Sequence, residues 1–133
     1  MPLARVRAEL ERLREGGQVA ELVEGAANYV VYQGVPTAGS LRGLDAVTDV
    51  IVPVPTGYPG AQIDLAGLPL NSPFLALVKG GQNNQGVLQV AGRQWQLASY
   101  HPHNGGGGPP WNPVRHGYHT YLDHLIAWLD KLS

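Results

Sequence analysis

The chain has 133 residues, a net charge of −1, 44% hydrophobic and 14% charged residues, the size and make-up of one globular domain. It lacks the basic excess with which a nucleic-acid binder displaces counterions, so no nucleic-acid partner is expected. It also has no cysteine, which excludes disulfides, thiolate metal sites and thiol nucleophiles together.

No basic-then-apolar leader opens the chain, and its apolar runs are only a few residues long, so a soluble, cytoplasmic protein without a membrane partner is expected. Residues 3–15 read as a helix: Leu3, Val6, Leu10 and Leu13 recur at three- and four-residue spacing among charged residues. Pro2 suits a helix start and Gly16-Gly17 a helix end. Strand signals follow at residues 19–23, 29–32 and 48–54. The last contains Val50-Ile51-Val52 and closes on prolines, which cannot donate to a sheet ladder. Residues 53–60 and 67–73 are turn-rich. Residues 74–78 read as another strand, and residues 87–90 and 93–98 as a hairpin around Ala91-Gly92. Residues 101–113 combine His-Pro-His-Asn, four consecutive glycines and several prolines, and read as an irregular loop. Tyr118, Tyr121, Leu122, Leu125, Trp128, Leu129 and Leu132 then form the apolar stripe of a closing helix. This order predicts a single α+β domain over residues 1–133, with an antiparallel meander of about four strands between the two helices.

Pro53-Val54-Pro55-Thr56-Gly57-Tyr58-Pro59 is a proline-containing strand end followed by Tyr-Pro. His101-Pro102-His103-Asn104 is a His-Pro-Asn signature with one residue inserted, and Trp111-Asn112-Pro113 is a Trp-x-Pro ahead of a helix. In this order the three motifs resemble the ubiquitin-conjugating (UBC) superfamily. Ser99-Tyr100-His101, a Ser-x-His strand end, and Ile63-Asp64-Leu65 are similar to its divergent prokaryotic branch, E2 family E. The resemblance covers most of the chain. It implies a UBC-like fold and a part in bacterial ubiquitin-like protein conjugation, with a ubiquitin-like protein and a ThiF-like activating enzyme as partners and no cofactor. Typical members carry a thioester on a cysteine between His-Pro-Asn and Trp-x-Pro. Here that interval, residues 105–110, is shorter and has no cysteine, so the thioester position does not carry over. Asn104 corresponds to the family's asparagine near the reacting carbonyl. The family's first helix meets the activating enzyme, and here it holds Arg5, Arg7, Arg12 and Arg14, four of the chain's seven arginines.

Ser99 and His101 lie two apart and share a face if they sit on a strand. A hydroxyl needs a general base to act as a nucleophile, so Ser99 with His101 as base would accept an acyl group as an oxyester. The same two residues also suit a plain strand end with a histidine packed under the last helix. His101, His103, His116 and His119, with Asp123 four residues after His119, match no recognised zinc spacing, and no metal is expected. The glycines at 105–108 lack the Gly-Lys-Ser/Thr of a phosphate loop; they suit a backbone lying close to a partner's tail, or a loop without a ligand. The arginines of the first helix suit either a docking surface or a solvated face of Glu–Arg pairs. Two functions stay open: a conjugating component that carries the ubiquitin-like C-terminus on a hydroxyl, and a noncatalytic UBC variant that binds or scaffolds.

Overall fold

A computed structural model describes residues 2–37, 43, 45–77, 87–98, 100, 102 and 110–132. The chain runs α1 (Pro2–Glu15), β1 (Val19–Val23), β2 (Tyr29–Pro36), β3 (Val47–Pro53), β4 (Ala66–Pro69), a 3-10 helix (Pro73–Leu77), β5 (Val87–Val90), β6 (Arg93–Ala98) and α2 (Tyr118–Leu132). All strand pairs are antiparallel, in the order β1-β2-β3-β4-β6-β5. The architecture is the expected α+β one: an N-terminal helix, an antiparallel sheet and a C-terminal helix. Among the described residues no helix is long and apolar enough to cross a membrane.

Strand alternation sorts the side chains into two clusters. Val30, Tyr32, Val50, Val52 and Ala98 meet Val6, Leu10 and Leu13 of α1 and Tyr118, Tyr121, Leu125 and Leu129 of α2. Val31, Ile51, Trp95 and Leu97 point to the opposite face and form a second cluster with Tyr29, Leu65, Leu88 and Val90 around them. Val50, Ile51 and Val52 are therefore all fully buried, which is why β3 reads as an unbroken apolar run rather than an alternating one. Buried tyrosine hydroxyls tie helix to sheet. Tyr32 donates to the Tyr118 carbonyl (2.7 Å), Tyr118 to that of Pro53 (2.7 Å) and Tyr121 to that of Leu65 (3.0 Å).

Three expectations are corrected. Among the described residues the sheet has six strands instead of about four, because β1 and the β5–β6 hairpin both join it and β4 is a strand the sequence reading treats as turn. Residues 74–78 do not form a strand: Pro73–Leu77 is a 3-10 helix, and Val78 lies outside the described residues. Pro73 suits a helix start, the Ser72 hydroxyl accepts the Phe74 N–H at 3.2 Å, and Phe74 itself is buried in the core as a plug. Strand β2 runs past Tyr32 to Pro36, through a register shift between Tyr32 and Val35. Gly34 sits in that shift at φ +66°, a conformation that favours glycine, and its N–H donates to Asp49 at 2.9 Å.

Gly67 explains how so short a strand as β4 holds the middle of the sheet. It lies between Ile51 and Leu97 in register, and both neighbours crowd the face where a side chain would stand. A Cβ on Gly67 would lie 2.6 Å from Ile51 Cγ2 and 3.2 Å from Leu97 Cδ2. Gly67→Ala is expected to destabilise the fold by about 1–3 kcal/mol, the usual cost of overpacking. Urea unfolding should show a lower midpoint with an unchanged slope; a midpoint equal to the parent's would mean that Ile51 gives way freely.

Candidate functional site

The Tyr58-Pro59 turn is bound to the 110–117 segment before α2, and Tyr100, just past β6, is bound to Leu65 and to α2. Trp111 Nε1 donates to the Pro59 carbonyl at 2.9 Å, and its ring tilts against Tyr58 and His116 at 6.1 and 5.6 Å between centroids. Asn112 shapes the segment. Its Oδ1 accepts the Val114 N–H at 2.9 Å and the Arg115 N–H at 3.3 Å, and its own N–H donates to His116 Nδ1 at 3.0 Å. On the other flank Tyr100 stacks on Trp128 at 5.2 Å, donates its hydroxyl to the His124 carbonyl at 2.8 Å and accepts the Leu65 N–H on its backbone carbonyl at 2.7 Å. Burial pushes the Tyr100 phenol up to about 12.

The sequence-predicted catalytic residues Ser99, His101 and Asn104 lie outside the described residues. Their described neighbours are held firmly: Ala98 and Pro102 are buried, and Tyr100 is anchored as above.

Glu9 is the residue that sequence reasoning missed. Its side chain is 6% exposed, yet it is a carboxylate. Arg5 Nε donates to it at 2.7 Å, the Tyr58 hydroxyl at 2.6 Å and the Tyr118 backbone N–H at 3.0 Å. Arg5 also donates to the His116 carbonyl at 2.7 Å. One carboxylate thus joins α1, the Tyr58-Pro59 turn and the first residue of α2. The signal was present in the spacing. Val6, Glu9, Leu10 and Leu13 follow the i, i+3, i+4, i+7 pattern of a buried stripe, which puts Glu9 on the inward face. Burial, then the Glu9 carboxylate, raises the Tyr58 phenol far above its ordinary value. Gly117 completes the joint, because a Cβ there would overlap the Glu9 carboxylate.

His119, on the first turn of α2, faces the same carboxylate. Its Nδ1 is buried with no hydrogen-bond partner among the described residues, 4.0 Å from Glu9 Oε2, too far for a hydrogen bond. Burial lowers its pKa, Glu9 opposes that, and Arg12, Arg5 and His116 reinforce it.

The four arginines named from the sequence divide. Arg5 is spent on Glu9 and His116, inside the fold. Arg7 pairs with Glu24 at 2.8 Å, and Arg14 with Glu11 at 3.4 Å and with the Ala20 carbonyl at 2.9 Å. Arg12 is exposed and makes no hydrogen bond or ion pair among the described residues. It lines an open groove between α1 and the start of α2 together with Arg115 and His119.

Over residues 7–132 the sequence matches the family model described as Prokaryotic E2 family E. Neither a search of curated proteins nor one of solved structures finds a match.

Two expectations follow from the Glu9 joint. Arg5→Ala leaves a buried carboxylate without its cation and should cost about 3–5 kcal/mol; Glu9→Gln, which keeps the shape, should cost less. Equal losses in denaturant unfolding would show that charge pairing does not govern the joint. For His119 the folded pKa is depressed, so the unfolded chain binds the proton more readily. Stability is complete above about pH 6.5, the ordinary imidazole value, and falls as the pH drops below it. His119→Gln should flatten the unfolding free energy between pH 7 and 5.5 relative to the parent; parallel curves would remove His119 as the source.

Proposed function

Because this chain belongs to prokaryotic E2 family E, we propose that it is the E2-type component of a bacterial ubiquitin-like protein conjugation pathway and carries the ubiquitin-like C-terminus as an oxyester on Ser99. Membership supports an E2-type role in a conjugation system, with a ubiquitin-like protein and an activating enzyme as its general partners. The oxyester reading rests on the Ser99-Tyr100-His101 pattern, a hydroxyl with a candidate general base two residues on, in a chain that has no cysteine to act as the nucleophile. Ser99 Oγ attacks the activated C-terminal carbonyl held by a ThiF-like enzyme. The Oγ–carbonyl bond forms as the bond to the activating group breaks, and the hydroxyl proton passes to His101 and from it to the leaving group. Asn104 donates a hydrogen bond near the reacting carbonyl. The frame described above supports this reading, because Ala98, Tyr100 and Pro102 are buried or anchored on either side of Ser99 and His101.

The missing cysteine favours a second reading, in which the domain binds or scaffolds a ubiquitin-like protein and its activating enzyme without carrying the acyl group. The two separate in one reconstitution with activating enzyme, ATP and ubiquitin-like protein. An oxyester adduct resists thiol reductant and is cleaved by mild base. It should vanish in Ser99→Ala and form roughly 10²–10⁴-fold more slowly in His101→Ala, the usual worth of a general base. An adduct that persists in Ser99→Ala, or none in the parent, sinks the oxyester and leaves the scaffold.

The helix α1 surface proposed to dock the activating enzyme is Arg7, Arg12 and Arg14, with Arg5 excluded from charge-reversal tests because it holds Glu9. Arg7→Glu with Arg12→Glu should weaken the complex while the melting temperature stays within a few degrees. The parent's affinity should fall with salt, since exposed charges are screened beyond about 8–10 Å near physiological ionic strength. Calorimetry showing equal affinity for both proteins at both salt levels would take this face out of the interface.

A further inference from the structure

The two edges of the sheet differ. On β1 the Arg14 side chain occupies the Ala20 carbonyl at 2.9 Å, and charged Glu21 lies on the strand, so that edge is fenced. Among the described residues β5 has no such fence. Its sequence, Val-Leu-Gln-Val, carries no charge, and Val87 is 54% exposed.

The hairpin sets which backbone groups of β5 are free. Ala91 and Gly92 both have positive φ, 55° and 74°, so they form a two-residue I′-type turn, whose flanking pair Val90–Arg93 exchanges hydrogen bonds. Antiparallel pairs alternate, so Leu88–Trp95 also exchanges them, and the backbone groups of Val87 and Gln89 point away from β6. The partner strand agrees with this parity: the carbonyl of Gln94, opposite Gln89, points away from β5 and accepts the Leu70 N–H at 3.0 Å. No side chain among the described residues bonds the outward groups of Val87 or Gln89.

Beside this edge runs a groove of about 390 Å³ between β5 and the β1–β2 turn, lined by Val23, Ala26, Ala27, Tyr29, Leu88 and Val90. Its lining carboxylate, Glu24, is paired with Arg7. Unpaired N–H and C=O groups at alternate residues suit an extended backbone, and a lining without an unpaired charge suits an uncharged segment.

We propose that the free edge of β5 is a strand-addition site, which takes an extended, uncharged segment of a partner polypeptide. The segment exchanges hydrogen bonds with Val87 and Gln89 and sets alternate aliphatic side chains into the groove. This proposal is independent of the acyl chemistry at Ser99.

The test uses the whole chain, isotopically labelled, and the capped peptide Ac-Ser-Val-Ser-Leu-Ser-Gly-NH2, beside the same peptide N-methylated at alternate residues. The first peptide should shift the Val87 and Gln89 amides saturably. At ten times the half-saturating concentration it should slow their hydrogen exchange about tenfold, as occupancy of the closed form requires. The N-methylated peptide should do neither. Gln89→Pro removes one outward N–H where an edge strand tolerates proline, and should abolish the response while the melt stays cooperative. No response to the first peptide overturns the proposal. So does a response that survives N-methylation, which would mean apolar contact without strand pairing. Protection of both amides without peptide, rising with protein concentration alongside a dimer in sedimentation, overturns it in favour of a second copy of this chain.

Discussion

A carboxylate taken out of water must be compensated, and in this fold that requirement falls on Glu9. Leaving such a group buried and unpaired costs several kcal/mol, so its surroundings are constrained together. Arg5 lies one helical turn before it, Tyr58 turns its hydroxyl inward, α2 begins with a free N–H at Tyr118, and Gly117 has no side chain in the way. The N-terminus of a helix is where a negative charge is favoured and where backbone donors lack partners inside the helix. Glu9 therefore serves α2 as a cap supplied by another helix.

From this joint a frame extends toward the segment that bears the family's signature. Tyr58 leads to Pro59, Pro59 holds Trp111, and Trp111 rests against His116, whose carbonyl returns to Arg5. On the far side Leu65, held at φ 71°, donates to the Tyr100 carbonyl and accepts the Tyr121 hydroxyl. Left-handed backbone at a non-glycine residue costs about 1–3 kcal/mol and persists where the surroundings over-determine it; two hydrogen bonds from different elements do so here. Phenol hydroxyls on backbone carbonyls recur through the core, and they join apolar packing to directional bonds that fix helix against sheet.

Much of this was legible in the sequence, for identifiable reasons. Both helices carry long periodic stripes, the two β-rich runs flanking Ala91-Gly92 suit a hairpin, and the family resemblance rested on the order of three motifs, none sufficient alone. Strand β4 was hidden because its own glycine and proline are turn residues; Gly67 is there for the space between Ile51 and Leu97, which only the folded register creates. The 3-10 helix was hidden because a short apolar run such as Phe74-Leu75-Ala76-Leu77 has no period that separates helix from strand. Arg5 was read as a surface cation because its inward partner, Glu9, was counted as solvent-facing. For Ser99, His101 and Asn104 the sequence supplies types and spacing, and a nucleophile is judged on distances.

The joint at Glu9 also has a bearing on how the chain reaches its fold. Its bonds span 109 residues to Tyr118 and, through Arg5, 111 to His116, among the widest separations the molecule contains. Contacts so far apart in sequence require the loop between them to be closed first, and they form late. On a ribosome α1 emerges before α2, and Glu9 stays hydrated beside Val6, Leu10 and Leu13 until residues 116–118 have been made. Until then the apolar stripe of α1 lies exposed, with the Glu9 carboxylate set into it.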